Sequence, residues 1–204
     1  MPTTGEFGPA QGFGDYEMHA DLATLLAVSF THSREDAEAQ AGVNDFENSQ
    51  LRLSDGTLLF SPGAFNTTGQ ITRATYEMLA LSAGLKYRGW TIDGEYYFRW
   101  LDNFTTIGLI PVDEVTDQGF QLQLSTMAIP KTLQLYAAGS KIFGDYGDPY
   151  DVSLGLNWFP FDRKEIRVNA QAIYLQRSPT GNNSVPYTVG GDGWVFSTDF
   201  IVSF

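Results

Sequence analysis

A chain of 204 residues with no cysteine and a net charge of −12 is long enough for one domain, cannot be a disulfide scaffold or a thiolate metal site, and repels nucleic acid. Hydrophobic residues make up 43% and aromatic residues 14%. That is too polar for a bundle of membrane helices, and no apolar run reaches the roughly eighteen residues that such a helix needs. A transmembrane barrel keeps its apolar residues at alternate positions, so this composition permits one.

The first residues, Met1-Pro-Thr-Thr-Gly-Glu-Phe-Gly-Pro9, carry no basic n-region and no apolar h-region, so they are not a signal peptide. The chain is therefore either a mature exported protein carrying an added initiator methionine or, the favoured expectation, a fragment of a longer exported product. Residues 1–60 hold ten carboxylates against Arg34 and Arg52, the composition of a solvated loop face.

Along the chain, all nine prolines fall between, or at the ends of, alternating stretches, where proline must lie if those stretches pair on both sides. About eight strands are predicted. The first spans 22–33, with Leu22, Thr24, Leu26, Val28 and Phe30 on one face; a short amphipathic helix is the alternative there. A long polar region, 34–74, follows as an extracellular loop, with a small hairpin in 50–60 turning at Asp55-Gly56. The second strand, near 76–88, lines up Leu79, Leu81, Ala83, Leu85 and Tyr87. Arg88-Gly89 reverses it into 90–101, where Trp90, Ile92, Gly94, Tyr96, Phe98 and Trp100 oppose Thr91, Asp93, Glu95, Tyr97 and Arg99.

Strands near 119–128 and 132–142 turn at Ile129-Pro130-Lys131, and strands near 151–159 and 166–176 turn at 160–165. Leu122, Leu124, Leu135, Val152, Leu154, Trp158, Val168 and Tyr174 fall in the apolar phase. Gln121, Gln123, Ser153, Asn157, Arg167, Asn169 and Gln171 fall in the other. After a Gly/Asn/Pro-rich loop, 177–193, the chain ends on Trp194-Val-Phe-Ser-Thr-Asp-Phe-Ile-Val-Ser-Phe204. There Trp194, Phe196, Phe200, Val202 and Phe204 alternate with Ser197, Asp199 and Ser203.

Short turns at 88–90, 129–131 and 160–165 alternate with mostly longer connections at 34–74, 102–118, 143–150 and 177–193. This is the pattern of an outer-membrane meander, with short periplasmic turns and long external loops. Counted back from a periplasmic carboxy terminus, every short turn lands on the periplasmic side. Alternation alone does not say which face meets water. Three features favour an apolar face in lipid. Aromatic residues gather at strand ends (Tyr87, Trp90, Trp100, Trp158, Phe159, Trp194, Phe204), as interfacial girdles do. The polar phase carries Gln, Asn, Ser, Asp and Arg more than Lys and Glu, and strand lengths suit a tilted bilayer crossing. The fold class is thus all-β, an antiparallel up-and-down transmembrane barrel forming a single domain over 1–204. The alternative is a soluble β-sandwich or barrel that binds a ligand, for example a carbohydrate stacked on Trp90, Trp100 or Trp158.

Several phrases resemble the phosphate-selective porin O/P family, in particular its planctomycete-type members. They are Gly12-Phe-Gly-Asp-Tyr-Glu-Met-His19, Ser29-Phe-Thr-His-Ser-Arg-Glu-Asp36, Leu85-Lys-Tyr-Arg-Gly-Trp-Thr-Ile-Asp-Gly-Glu-Tyr-Tyr-Phe-Arg-Trp100, Gly139-Ser-Lys-Ile-Phe-Gly144, Asn157-Trp-Phe-Pro160 and Ser184-Val-Pro-Tyr-Thr-Val-Gly-Gly191. The resemblance implies a bacterial outer-membrane porin of about sixteen strands, of which this chain is the carboxy-terminal half. It also implies a homotrimer at full length, assembly through the carboxy-terminal strand by the outer-membrane machinery, and passage of small hydrophilic solutes or anions, phosphate among them.

No catalytic constellation appears, and neither enzymatic activity nor a cofactor is expected. His19 and His32 lie far apart and lack Cys, Asp or Glu at metal-ligand spacing. Gly12-Phe-Gly14 lacks the third glycine of a dinucleotide loop. If the polar phase lines a lumen, alternation gives it Lys86, Arg88, Arg99 and Arg167 against Asp93, Glu95, Asp151 and Asp199. That balance is not the basic excess of an anion filter. Lys86, Arg99 and Arg167 are the candidate anion contacts, with Asp93, Glu95, Tyr97 and Asp199 beside them on the lining; Trp90, Trp100, Trp158, Trp194 and Phe204 are the candidate interfacial aromatics.

Overall fold

The structure is a computed structural model and describes residues 2–4 (backbone only), 6–8, 14–37, 51–181 and 187–202. Phe204 and positions 38–50 of the expected long loop lie outside the described residues.

The strands are β1 (Pro2–Thr4), β2 (Ala23–Asp36), β3 (Gln70–Tyr87), β4 (Trp90–Ile107), β5 (Val115–Ile129), β6 (Leu133–Gly144), β7 (Tyr150–Trp158), β8 (Ile166–Gln176) and β9 (Gly193–Val202). They form one antiparallel sheet in sequence order, an up-and-down meander. Among the described residues β9 pairs with β8 alone, so the sheet is open. The 22–33 stretch is a strand, not a helix. Arg88 and Gly89 form the β3–β4 turn with φ of 47° and 86°, the two left-handed residues of a type I′ hairpin whose twist matches its strands.

Besides β5, which begins at Val115 rather than near 119, three elements depart from the sequence reading. β3 begins at Gln70, inside the region expected to be loop, and β4 runs on to Ile107. The pairing there shifts between Ile71 and Arg73 and again between Arg73 and Thr75, and Asn103 adopts φ 50°. Such bulges insert residues out of phase and erase the period-two signal while the ladder continues. The third is β1, which pairs with Leu25 and Thr24 and has too few residues to show any period.

The register carries one phase across the whole sheet. Leu26 pairs with Ala83, Ala83 with Gly94, Gly94 with Leu122, Leu122 with Gly139 and Gly139 with Val152; Val152 pairs with Tyr174 and Tyr174 with Trp194. All eight expected apolar sets therefore share one face. A one-residue slip at any pair would have moved a set to the other side.

That face is the exposed one. Leu26, Val28, Phe30, Ile92, Leu122, Leu154, Trp194, Phe196 and Phe200 are all exposed, Phe196 to 76%. On the opposite face Thr91, Asp117, Ser125, Gln134, Asn157 and Asn169 are buried. Two small cores sit on this polar face, one at each end of the strands. At the long-connection end Leu53, Leu59, Phe60 and Phe65 pack against Ile71, Ala74, Leu101 and Val115. At the short-turn end Tyr16 packs with Met127 and Phe159.

Phe159 corrects the expected girdle: it is fully buried, its ring 5.0 Å from that of Tyr16. It follows Trp158 directly, and adjacent strand positions point to opposite faces, so only Trp158 remains outside.

Candidate functional site

Among the described residues the polar face is the surface where chemistry-bearing side chains converge, and it divides into three levels along the strands.

At the short-turn end, residues 14–19 form a turn held by Asp15, whose carboxylate is buried. It accepts the Gly89 N–H at 2.6 Å and the His19 N–H at 3.0 Å, and pairs with the His19 Nδ1. Arg88 N–H donates to the His19 carbonyl at 2.8 Å. The His19 Nε2 lies 2.7 Å from the Glu6 carbonyl. The hydrogen bond to Asp15 raises the His19 pKa above its ordinary 6.5, with partial burial opposing it and the Glu6 carbonyl reinforcing it. Glu17 pairs with Lys164, and that hydrogen bond holds its carboxyl below the usual range. A cavity of about 470 Å³ opens between Phe7, Tyr16, Glu17, His19, Lys86 and Lys164. No sequence spacing had marked Asp15 and His19 as partners; their link depends on the β3–β4 turn coming back to meet them.

Lys86 sits beneath this segment. It is 3% exposed, its Nζ donating to the Phe7 carbonyl at 3.0 Å and standing 4.5 Å from the Phe7 ring centre. Above the turns a hydrogen-bonded belt crosses four strands. Asn157 donates to Gln134 at 2.9 Å, Asn169 to Asn157 at 3.0 Å and to the Tyr136 hydroxyl at 2.8 Å. Tyr136 then donates to Gln171 at 3.1 Å, and Gln171 to Ser197 at 2.9 Å. Asn157 and Gln171 both give and receive, while Gln134 only accepts and Asn169 only donates; the shared bonds offset much of the cost of lost solvation. Arg167 and Asp199 belong to this end, Arg167 opposite Ile201 and Asp199 opposite Asn169.

At the long-connection end, the Asp55-Gly56 hairpin exists as expected: Leu53 N–H bonds the Thr57 carbonyl at 2.8 Å and Leu59 N–H the Leu51 carbonyl at 2.9 Å. Its position was not foreseen, because it folds inward onto the polar face. Arg99 anchors it. The Arg99 Nε donates to Asp117 at 2.9 Å, and its Nη2 to the Arg52 carbonyl at 2.9 Å and to Asp117. Tyr146 N–H donates to Ser54 Oγ at 3.1 Å.

Between the two ends lie Asp93, Glu95 and Tyr97, brought together with Gln121, Gln123, Ser140 and Asp151 by the pairings Glu95↔Gln121, Gln121↔Ser140 and Ser140↔Asp151. Ser82 donates to Glu95 at 2.8 Å, and Ser140 donates to Asp151. Tyr97 lies flat over Gly119, where a Cβ would come within 2.6 Å of its hydroxyl. Glycine opposite a large ring is what lets the ring cross its neighbour strand.

The candidate lining residues are thus on one face but not in one cluster: Lys86 and Arg99 close off the two ends, and Arg167 sits apart. The charge balance also changes. Arg88 belongs to the hairpin turn, its guanidinium 5.0 Å from the Tyr87 ring centre, and Asp117, on a strand that begins earlier than expected, joins the polar face opposite Arg99. No family model matches the chain, and no curated protein or solved structure matches it. The porin resemblance rests on the sequence phrases alone. Among the described residues, no group of three or more His, Asp or Glu side chains could hold a metal ion.

Trp90 and Trp158 stand near the short-turn end of the apolar face and Trp100 and Trp194 near the other, by the pairings Tyr87↔Trp90, Leu133↔Trp158, Trp100↔Thr116 and Tyr174↔Trp194. Tyr150, Tyr174 and Trp194 form a row with ring centres 6.2 Å and 5.3 Å apart.

Proposed function

We propose that this chain forms the wall of a water-filled pore in a bacterial outer membrane, through which small hydrophilic solutes or ions diffuse passively. The observation that carries the reading is the inverted exposure: across eight consecutive strands the large apolar side chains are mostly exposed, while most of the buried polar side chains, Thr91, Asp117, Ser125, Gln134, Asn157 and Asn169 among them, lie on the opposite face. A soluble sandwich or barrel buries the apolar face. Here the exposed large hydrophobics of that face extend from Leu26 to Phe200, a patch wider than a soluble monomer tolerates. Hydrocarbon is the surrounding that makes such a face favourable, and a polar lumen is its counterpart.

The aromatic rows support the same reading. Trp90 and Trp100 bound the apolar stretch of β4, ten residues apart. At about 3.3 Å per residue and a tilt of about 40° they are separated by roughly 25 Å across the membrane, the height of a barrel's lipid band. In this reading Trp90, Trp100, Trp158 and Trp194 are interfacial anchors, and the inward hairpin narrows the lumen from the external side. The open sheet then completes a barrel by pairing its edges with further strands. Assembly through the carboxy-terminal strand, trimer formation and membership of the porin O/P family belong to the same proposal.

The soluble ligand-binding alternative leaves the apolar face without a cover. Fractionation separates the two: recovery in detergent-solubilised outer membrane, followed by stepwise conductance in planar bilayers, supports the pore. A monodisperse soluble monomer in plain buffer contradicts it.

A further inference from the structure

We infer that the wall prefers cations, the sign opposite to the phosphate preference of the family that the sequence resembles; the inference rests on the polar face being a pore lining. From β3 to β9 the charged side chains in the polar phase are Lys86, Arg99 and Arg167 against Asp93, Glu95, Asp117, Asp151 and Asp199. Five carboxylates against three cations is an acidic excess, but where the charges lie matters more than the count.

Both cations that flank the middle of the sheet are engaged at its ends, Lys86 while still acting on Asp93. Lys86 is covered by Phe7 and donates to its carbonyl. Arg99 is forked between Asp117 and the Arg52 carbonyl beneath the inward hairpin, so its charge is already answered by a buried carboxylate. Arg167 lies three polar-face steps along β8 from Ile173, which shares the level of Asp93 through Ser153 and Ala138.

Three of the five carboxylates, by contrast, hold the open middle. Ser82, Glu95, Gln121, Ser140 and Asp151 make one cross-strand row, and Gly84, Asp93, Gln123, Ala138 and Ser153 the next. Among the described residues no lysine or arginine forms an ion pair with Asp93, Glu95 or Asp151. Glu95 and Asp151 receive hydrogen bonds from the neutral hydroxyls of Ser82 and Ser140, which hold the carboxylates in place without cancelling their charge. Asp93 and Asp151 border one open cleft of about 230 Å³, shared with Gln121, Gln123 and Ser140.

Amides and hydroxyls can solvate either sign of ion, so the carboxylates decide it. Asp93 and Glu95, two residues apart on β4, lie within the Debye length of about 8 Å at physiological salt, and Asp151, three strands away on the same face, extends the negative potential across the middle of the wall. The preference belongs to the potential of the wall; a passing cation stays hydrated and mobile.

The test is the zero-current potential of the full chain in a planar bilayer under a tenfold KCl gradient. The expected permeability ratio of potassium to chloride is on the order of five to ten. It should fall toward one when the salt on both sides is raised tenfold, and fall likewise in the triple variant Asp93→Asn, Glu95→Gln, Asp151→Asn. A chloride-preferring ratio overturns the inference and leaves the pore standing, as does a potassium preference indifferent to salt in the unaltered chain. Complete absence of conductance steps overturns the pore reading, and this inference with it.

Discussion

Replacing Leu154 by arginine separates a lipid-facing sheet from a water-facing one. Leu154 is the middle residue of β7, four positions from Tyr150 and four from Trp158, and is 60% exposed. Its cross-strand neighbours on that face are Ala137 and Ala172, so arginine meets no clash and removes little packing. On a water-facing surface the change costs within about 0.5 kcal/mol. At the midplane of a lipid band it costs about 2–4 kcal/mol, a shift of roughly 30- to 900-fold in the folding equilibrium. The assay is reversible urea unfolding in phospholipid vesicles followed by tryptophan fluorescence, with Gln121→Arg, on the polar face two strands away, as control. The lining change should cost under about 1 kcal/mol, since water already reaches it. Equal stability for Leu154→Arg and the unaltered chain would refute the reasoning, because the apolar face would then have no hydrocarbon against it.

Three further outcomes follow from the ends of the polar face. Asp15→Ala leaves the Gly89 N–H without its buried acceptor and should cost about 1–3 kcal/mol, read as faster amide exchange at Gly89; unchanged exchange would mean that the turn does not need the carboxylate. Because its bond to Asp15 raises the His19 pKa, His19 stabilises the fold fully below its unfolded value of about 6.5, and that contribution is lost as pH rises through the higher folded value. Unfolding free energies at pH 6 and pH 8.5 should therefore differ more in the unaltered chain, whose imidazole faces Asp15, Glu17 and Lys86, than in His19→Gln, which has no titrating ring there; equal differences would contradict the assignment. Gly144→Ala would put a Cβ 2.2 Å from Asp117 Oδ1 and 2.3 Å from Ser54 Oγ, lifting the inward hairpin; exchange at the Leu53 and Leu59 amides should rise, and no rise would show that the hairpin docks without Ser54.

The phase of every long strand was legible because period-two alternation is a local property, and pairing then locked eight local signals onto one face. What failed locally was hidden for local reasons. Bulges around Ile71–Thr75 and the left-handed Asn103 broke the alternation that would have extended β3 and β4. Starting β5 too late left Asp117 in a loop and made the lining look balanced. Phe159 looked interfacial because it adjoins Trp158, though one residue in a strand is a change of face. The hairpin at Asp55-Gly56 was readable from its turn residues, but its inward position depends on Arg99 and Tyr146, 47 and 92 residues away from their partners Arg52 and Ser54. Distances of that kind leave no trace in sequence spacing. The Asp15–His19 clasp escaped for the same reason.

The chain contains no cysteine, so single cysteines can be placed one at a time along β7, from Tyr150 to Trp158, in vesicle-reconstituted protein. A membrane-impermeant thiol reagent supplied to both sides of the bilayer should label position 151, on the half-exposed part of the polar face, and leave 152, 154 and 156 unlabelled; nitroxide lipids should quench probes at that second set alone. Labelling of 152, 154 and 156 from water, with no quenching by lipid, would show that the apolar face does not meet a membrane.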